Sequence, residues 1–114
     1  VVKMKQLVFV NPKNVDALNY LGYTWTVQGK NLDQAGEYLK LAMKLRPGNA
    51  YITDSWGWYL YTTGKVREAI VQLEKAVQIK GDESTILEHL GDAYSRANLQ
   101  EKAVMMYQKA ATYS

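Results

Sequence analysis

The stretch Leu18-Asn19-Tyr20-Leu21-Gly22-Tyr23-Thr24-Trp25 decides the fold, because its pattern returns twice. The second copy is Thr53-Asp54-Ser55-Trp56-Gly57-Trp58-Tyr59-Leu60 and the third is Leu87-Glu88-His89-Leu90-Gly91-Asp92-Ala93-Tyr94. Their glycines lie 35 and 34 residues apart. Self-similarity at a period of about 20 to 50 residues marks a stack of identical supersecondary units, each unable to bury its apolar face alone.

Outward from each glycine the register holds. Ala35, Ala69 and Ala103 follow the glycines by 13, 12 and 12 residues, and Ala42, Ala76 and Ala110 lie seven further on. Between them stand large apolar side chains: Leu18, Trp25 and Leu39, then Leu60 and Leu73, then Leu87, Tyr94 and Tyr107. Only Thr53 interrupts the set. Small residues at fixed places let two helices approach, and bulky ones at three- and four-residue spacing give each helix its apolar stripe. The expected unit is an antiparallel helix hairpin.

Turn residues agree with that unit. Gly29, Gly64 and Asn98 fall where the first helix of each copy should end, and all three tolerate the left-handed conformation of a helix C-terminus. Pro12 and Pro47 mark breaks between copies, and Asn31 is the extra residue that lengthens the first hairpin turn. The expected helices span about 14–28, 32–45, 50–63, 66–80, 84–97 and 100–112, with no competing strand signal.

Leu18-x-x-Leu21-Gly22-x-x-Trp25, then Ala35-x-x-x-Leu39-x-x-Ala42 and Pro47, resembles the tetratricopeptide repeat, and the resemblance covers about residues 15–114. It implies an all-α superhelix, a solenoid of antiparallel helix hairpins, forming one domain over 1–114. The repeats would span 13–48, 49–82 and 83–114. Residues 1–12 would be the last helix of a truncated preceding repeat, since Asn11-Pro12 ends it as Arg46-Pro47 ends the next, and the array is expected to continue upstream. At the other end Tyr113-Ser114 closes the third hairpin without a polar capping helix, which repeat arrays need for solubility. Met105 and Met106 are therefore expected to be partly exposed, as a contact for a further repeat or for a second copy.

Several function classes fall away. The formal charge is +3, but 14 Lys and Arg are scattered among 11 acidic residues, so no basic stripe accompanies the nine Tyr and three Trp as nucleic-acid stacking would need. No cysteine is present, so disulfides and thiolate metal sites are excluded, and cytoplasm and periplasm both remain open. A signal or lipid anchor upstream of Val1 is also left open. No run is long and apolar enough for direct membrane insertion. The Tyr-rich, cysteine-free composition suggests a bacterial source.

Catalytic chemistry has little to work with. Gly22 to Gly29-Lys30 and Gly57 to Gly64-Lys65 imitate a phosphate loop, but six residues separate the glycines where four are needed, and Asn31 and Val66 stand where Ser or Thr is required. His89 is the sole histidine. Next to Glu88 and near Asp92 it lacks the partners for a metal site or a catalytic triad, and it is expected to be exposed or to line a groove. No enzyme activity, cofactor or metal is expected. Trp25 and Trp56 fall at core places.

By resemblance to the family, the first helix of each hairpin builds the concave wall, with its second, fifth, sixth, ninth, twelfth and thirteenth places facing a ligand when counted from Val15, Ala50 and Ser84. Asp16, Asn19, Tyr20 and Tyr23 fall there in the first copy. So do Tyr51, Asp54, Trp58 and Tyr61 in the second, and Glu88, His89, Asp92 and Arg96 in the third. Carboxylates outnumber the one cation, Arg96, while Lys40, Lys44, Lys75, Lys102 and Lys109 fall on the second helices. Family members that clamp a C-terminal carboxylate use Lys, Arg and Asn on this wall, and here only Asn19 matches. The expected partner is thus a protein or peptide with aliphatic or aromatic anchors and at least one Lys or Arg, with Tyr20, Tyr23, Tyr51, Trp58 and Tyr61 as anchors for it. The rival reading is a structural module that forms homo-oligomers end to end through its uncapped terminal helices.

Overall fold

A computed structural model describes residues 14–114; the helix expected over 1–12 lies outside them. Six helices follow one another: α1 Val15–Gln28, α2 Leu32–Leu45, α3 Ala50–Thr62, α4 Val66–Ile79, α5 Ser84–Arg96 and α6 Gln100–Tyr113. Each boundary falls within two residues of the expected one. Among the described residues there is no strand, and none of the helices is long and apolar enough to cross a membrane.

The helix ends are set by local chemistry. Asn14 and Asn49 occupy the same place in successive copies, and each side chain accepts a backbone N–H three residues on, from Ala17 at 3.0 Å and Ile52 at 3.1 Å. The turns inside the hairpins also repeat. The N–H of Lys30, Lys65 and Leu99 donates to the carbonyl five residues back, on Trp25, Leu60 and Tyr94, while Gly29, Gly64 and Asn98 hold φ of 68°, 89° and 64°. Asn31, the inserted residue, is also left-handed at φ 49°, so the longer first turn needs a second residue that tolerates this region.

The hairpins close around the glycines. A Cβ on Gly22 would stand 2.5 Å from Leu39 Cγ, one on Gly57 2.8 Å from Leu73 Cγ, and one on Gly91 2.6 Å from the Tyr107 ring. These are the same pairs at the repeat spacing, so each bulky residue of a second helix seats in the notch left by the glycine of the first. All six repeat alanines are buried. Thr53, the exception to the apolar pattern, is buried too, with its hydroxyl donating to the Asn49 carbonyl at 2.8 Å. That bond removes most of the cost of its polarity.

Curvature follows from which helices meet. α1 packs on α3 and α3 on α5, whereas among the described residues no second helix touches another. The first helices therefore crowd on the inside of the bend and the second helices fan out on its outside. The result is an elongated body of 45 × 25 × 22 Å. Trp25 is buried as expected, but Trp56 is only half-buried, with Tyr59 stacked on it at 5.3 Å and Lys40 over its ring at 5.8 Å.

Candidate functional site

The inner wall made by α1, α3 and α5 brings together the side chains that the repeat register placed on it, but uses them in two different ways. Toward the first repeat the wall opens into a cavity of about 520 Å³. Asp16, Asn19, Tyr20 and Tyr23 of α1 line it with Tyr51, Asp54 and Ser55 of α3 and Glu83, Thr85 and Ile86 at the start of α5. Tyr20 and Tyr51 are 46% and 48% exposed, so their rings face solvent across this space. Tyr51 donates its hydroxyl to Glu83 Oε2 at 2.8 Å, which holds its own pKa above the usual tyrosine value. Burial, and secondarily the Asp54 charge, raise that of Tyr23, so its hydroxyl stays protonated as a donor.

Toward the third repeat the wall is filled by the protein's own side chains. Trp58 stacks on His89 with ring centroids 4.1 Å apart and on Tyr61 at 4.6 Å, both nearly parallel, so the indole stands in the middle of the stack. Arg96 lies 5.1 Å over the Tyr61 ring and donates to the Tyr61 carbonyl at 3.0 Å. Asp92 accepts a short hydrogen bond from the Tyr107 hydroxyl of α6, and Glu88 is exposed.

One pair joins the two halves. Asp54 and His89 are only 6% and 8% exposed, and His89 Nδ1 lies 2.8 Å from Asp54 Oδ1. Of the two expectations for His89, exposed or lining a groove, the first is corrected here. Its ring is buried between Trp58 and Asp54, with Tyr23 tilted toward it at 6.2 Å. Three of the four wall carboxylates have partners within the chain. Asp54 is paired with His89, Asp92 with Tyr107, and Asp16 with Arg46 at 3.2 Å on the exposed rim. Among the described residues no three His, Cys, Asp or Glu side chains gather where a metal ion could be held.

Two cavity residues, Glu83 and Ile86, are absent from the sequence reading. Glu83 precedes the first counted place of its helix, and Ile86 sits at a place that reads as interior. Glu83 lies two residues before Thr85, the repeat counterpart of Tyr51, so the repeat register gave no signal for it. A second hollow lies between α2 and the α3–α4 hairpin, where Trp56 and Tyr59 stack. Its lining mixes Asp33, Glu37 and Glu68 with Lys40 and Lys65, so it presents no single charge to a ligand.

No family model matches the sequence. A TPR repeat-containing protein of Pseudomonas aeruginosa is 38% identical over 91 residues, which is 77% of this chain and 15% of that protein. Among solved structures, a crystal structure of MamA superposes with a TM-score of 0.80 at 24% identity, covering 97% of this chain and 64% of that one. MamA from Desulfovibrio magneticus RS-1 does so with a TM-score of 0.80 at 18% identity, covering 96% and 62%. The chain thus spans less than two thirds of each of these three proteins.

Proposed function

Because this chain is an array of tetratricopeptide repeats, a fold that serves as a protein-interaction scaffold, we propose that its inner groove binds a segment of a partner protein and catalyses no reaction. The segment carries aliphatic or aromatic anchors and a basic residue. One observation supports this above the others. The open half of the groove exposes tyrosine rings beside Asp16, Asp54 and Glu83, with no Lys or Arg in its lining among the described residues. Tyrosine gives large, stiff contact area at little entropic cost, and the carboxylates disfavour an acidic tail.

The test is calorimetric titration of the chain with blocked peptides that pair aromatic and basic residues. Tyr20→Ala combined with Tyr51→Ala should weaken binding by about tenfold or more, as loss of two interface tyrosines commonly does, while the helical circular dichroism stays unchanged. Equal affinity for wild type and double variant would end the groove reading.

A second reading rests on α6 and the residue that caps it, where Val104, Met105 and the capping Leu99 are exposed, Met105 by 55%. This face would join further repeats or a second copy end to end. Concentration-dependent dimers in light scattering that Met105→Lys abolishes would support it, and a monomer at all concentrations would count against it.

A further inference from the structure

Within the groove reading just given, on which this step rests, we infer that the open half is a recognition pocket for a guanidinium group, filled by an arginine side chain of the partner segment. The argument is one of donors and acceptors. The side chains around the cavity supply Asp16, Asp54 and Glu83 as acceptors, and Asn19 Oδ1 is buried without any hydrogen-bond partner. The Tyr51 hydroxyl is already spent on Glu83. Each of these carboxylates already has one partner, Arg46, His89 or the Tyr51 hydroxyl. A carboxylate offers about four lone-pair sites, so the lining keeps acceptor capacity that its own side chains do not fill, and a buried acceptor left unpaired is costly. A ligand that lowers this cost must bring several N–H groups, no acceptor and a positive charge. Guanidinium has five donors in a planar fork and no acceptor, and its plane stacks on aromatic rings.

The same wall already shows how it holds such a group. In the filled half Arg96 lies over Tyr61 and donates to a carbonyl oxygen beside the ring. Tyr20 and Tyr51 offer comparable ring faces next to acceptors in the open half, and no Lys or Arg of the described residues lines that space. Two cations stand near its edge, Arg46 engaged by Asp16 and Lys80 by Asp82, each at 3.2 Å, and neither lines the cavity. An ammonium group, a hydrated point charge that cannot stack flat, uses fewer of these features. The pocket thus discriminates arginine from lysine, and aliphatic or aromatic neighbours of the arginine contact Tyr23 and Ile86.

The experiment uses the peptide Ac-Leu-Tyr-Arg-Leu-NH2 and three versions with lysine, citrulline or glutamate at the arginine position. Binding is followed by the NMR shifts of the Tyr20, Tyr23 and Tyr51 rings and the Asn19 side-chain amide. The expected order is arginine first, lysine several-fold weaker, citrulline about tenfold weaker or less, and glutamate undetectable. Glu83→Gln should remove most of the arginine preference while the citrulline affinity stays constant, an outcome that general loss of folding would not give. Equal affinities for arginine and citrulline with shifts still in the open half would overturn the guanidinium pocket and leave the groove reading standing. Shifts confined to the Trp58–Arg96 end would do the same. No binding by any of the four peptides would sink both.

Discussion

The two halves of the inner wall start from the same repeat positions and end in opposite states. In the first repeat the ninth place is Tyr23 and the sixth Tyr20, and their rings border open space. In the second and third, Trp58 and His89 meet face to face, and Arg96 covers the next ring along. The hairpin interior beneath is nearly identical throughout, with Gly22 on Leu39, Gly57 on Leu73 and Gly91 on Tyr107. What separates the halves is therefore the choice of outward side chains, which can vary without disturbing the packing that holds the stack together. A scaffold of this kind keeps its energy in the repeated interior and its specificity on the wall.

The largest test of that division strikes the pair that links the halves. Asp54→Ala would leave His89 Nδ1 buried without an acceptor, at a cost of about 1–3 kcal/mol in denaturant unfolding. It should also release the imidazole from Trp58 and change the indole fluorescence. Asp54→Asn keeps an oxygen in place and should recover most of the stability. If Asn and Ala prove equally destabilising, the bond is incidental and the halves are not joined through it.

A smaller effect sharpens the contrast. Arg96→Ala removes an exposed guanidinium from the Tyr61 face, which should lower stability by less than about 1 kcal/mol, the range for an exposed cation–π contact. The uncovered ring should then accept what the open half accepts, so the arginine peptide would shift Tyr61 resonances in the variant but not in the wild type. Silence of Tyr61 in both would mean that Arg96 is not what fills this half.

Much of this was legible in the sequence, and the limit has a physical reason. Repeat spacing located all six helices because the hairpin interior depends on local choices: a glycine opposite a leucine, an alanine where helices cross, a residue tolerant of positive φ at each turn. The wall residues were legible as a set for the same reason. Their pairing was not. Asp54 and His89 sit on different helices 35 residues apart, at the fifth and sixth places of their repeats, and their contact depends on how far α5 is displaced along α3. No periodicity encodes that offset. The stacking of Trp58 on Tyr61 was readable from their three-residue spacing on one helix, whereas the stacking of Trp58 on His89 required the packing between repeats.

The smallest expected effect belongs to the filled half and is one of pH. Its hydrogen bond to Asp92, with a lesser contribution from burial, pushes the Tyr107 hydroxyl up to about 12 from the ordinary 10.0. A group whose pKa is higher folded than unfolded adds stability that is fully present below the unfolded value and disappears as pH rises through the folded one. For Tyr107 the loss should therefore run from pH 10 to about 12. Other tyrosines with raised values, Tyr23 and Tyr51 among them, contribute in the same alkaline range, so the Tyr107 share is isolated by difference. Asp92→Asn removes the carboxylate, and the Tyr107 ring resonances should then titrate closer to the ordinary value while those of Tyr23 and Tyr51 do not move. The fall in thermal midpoint across that window should also be shallower than in the wild type. A Tyr107 titration unaffected by Asp92→Asn would mean that the bond to α6 does not hold this end of the wall closed, and the filled half would be as open to a ligand as the first.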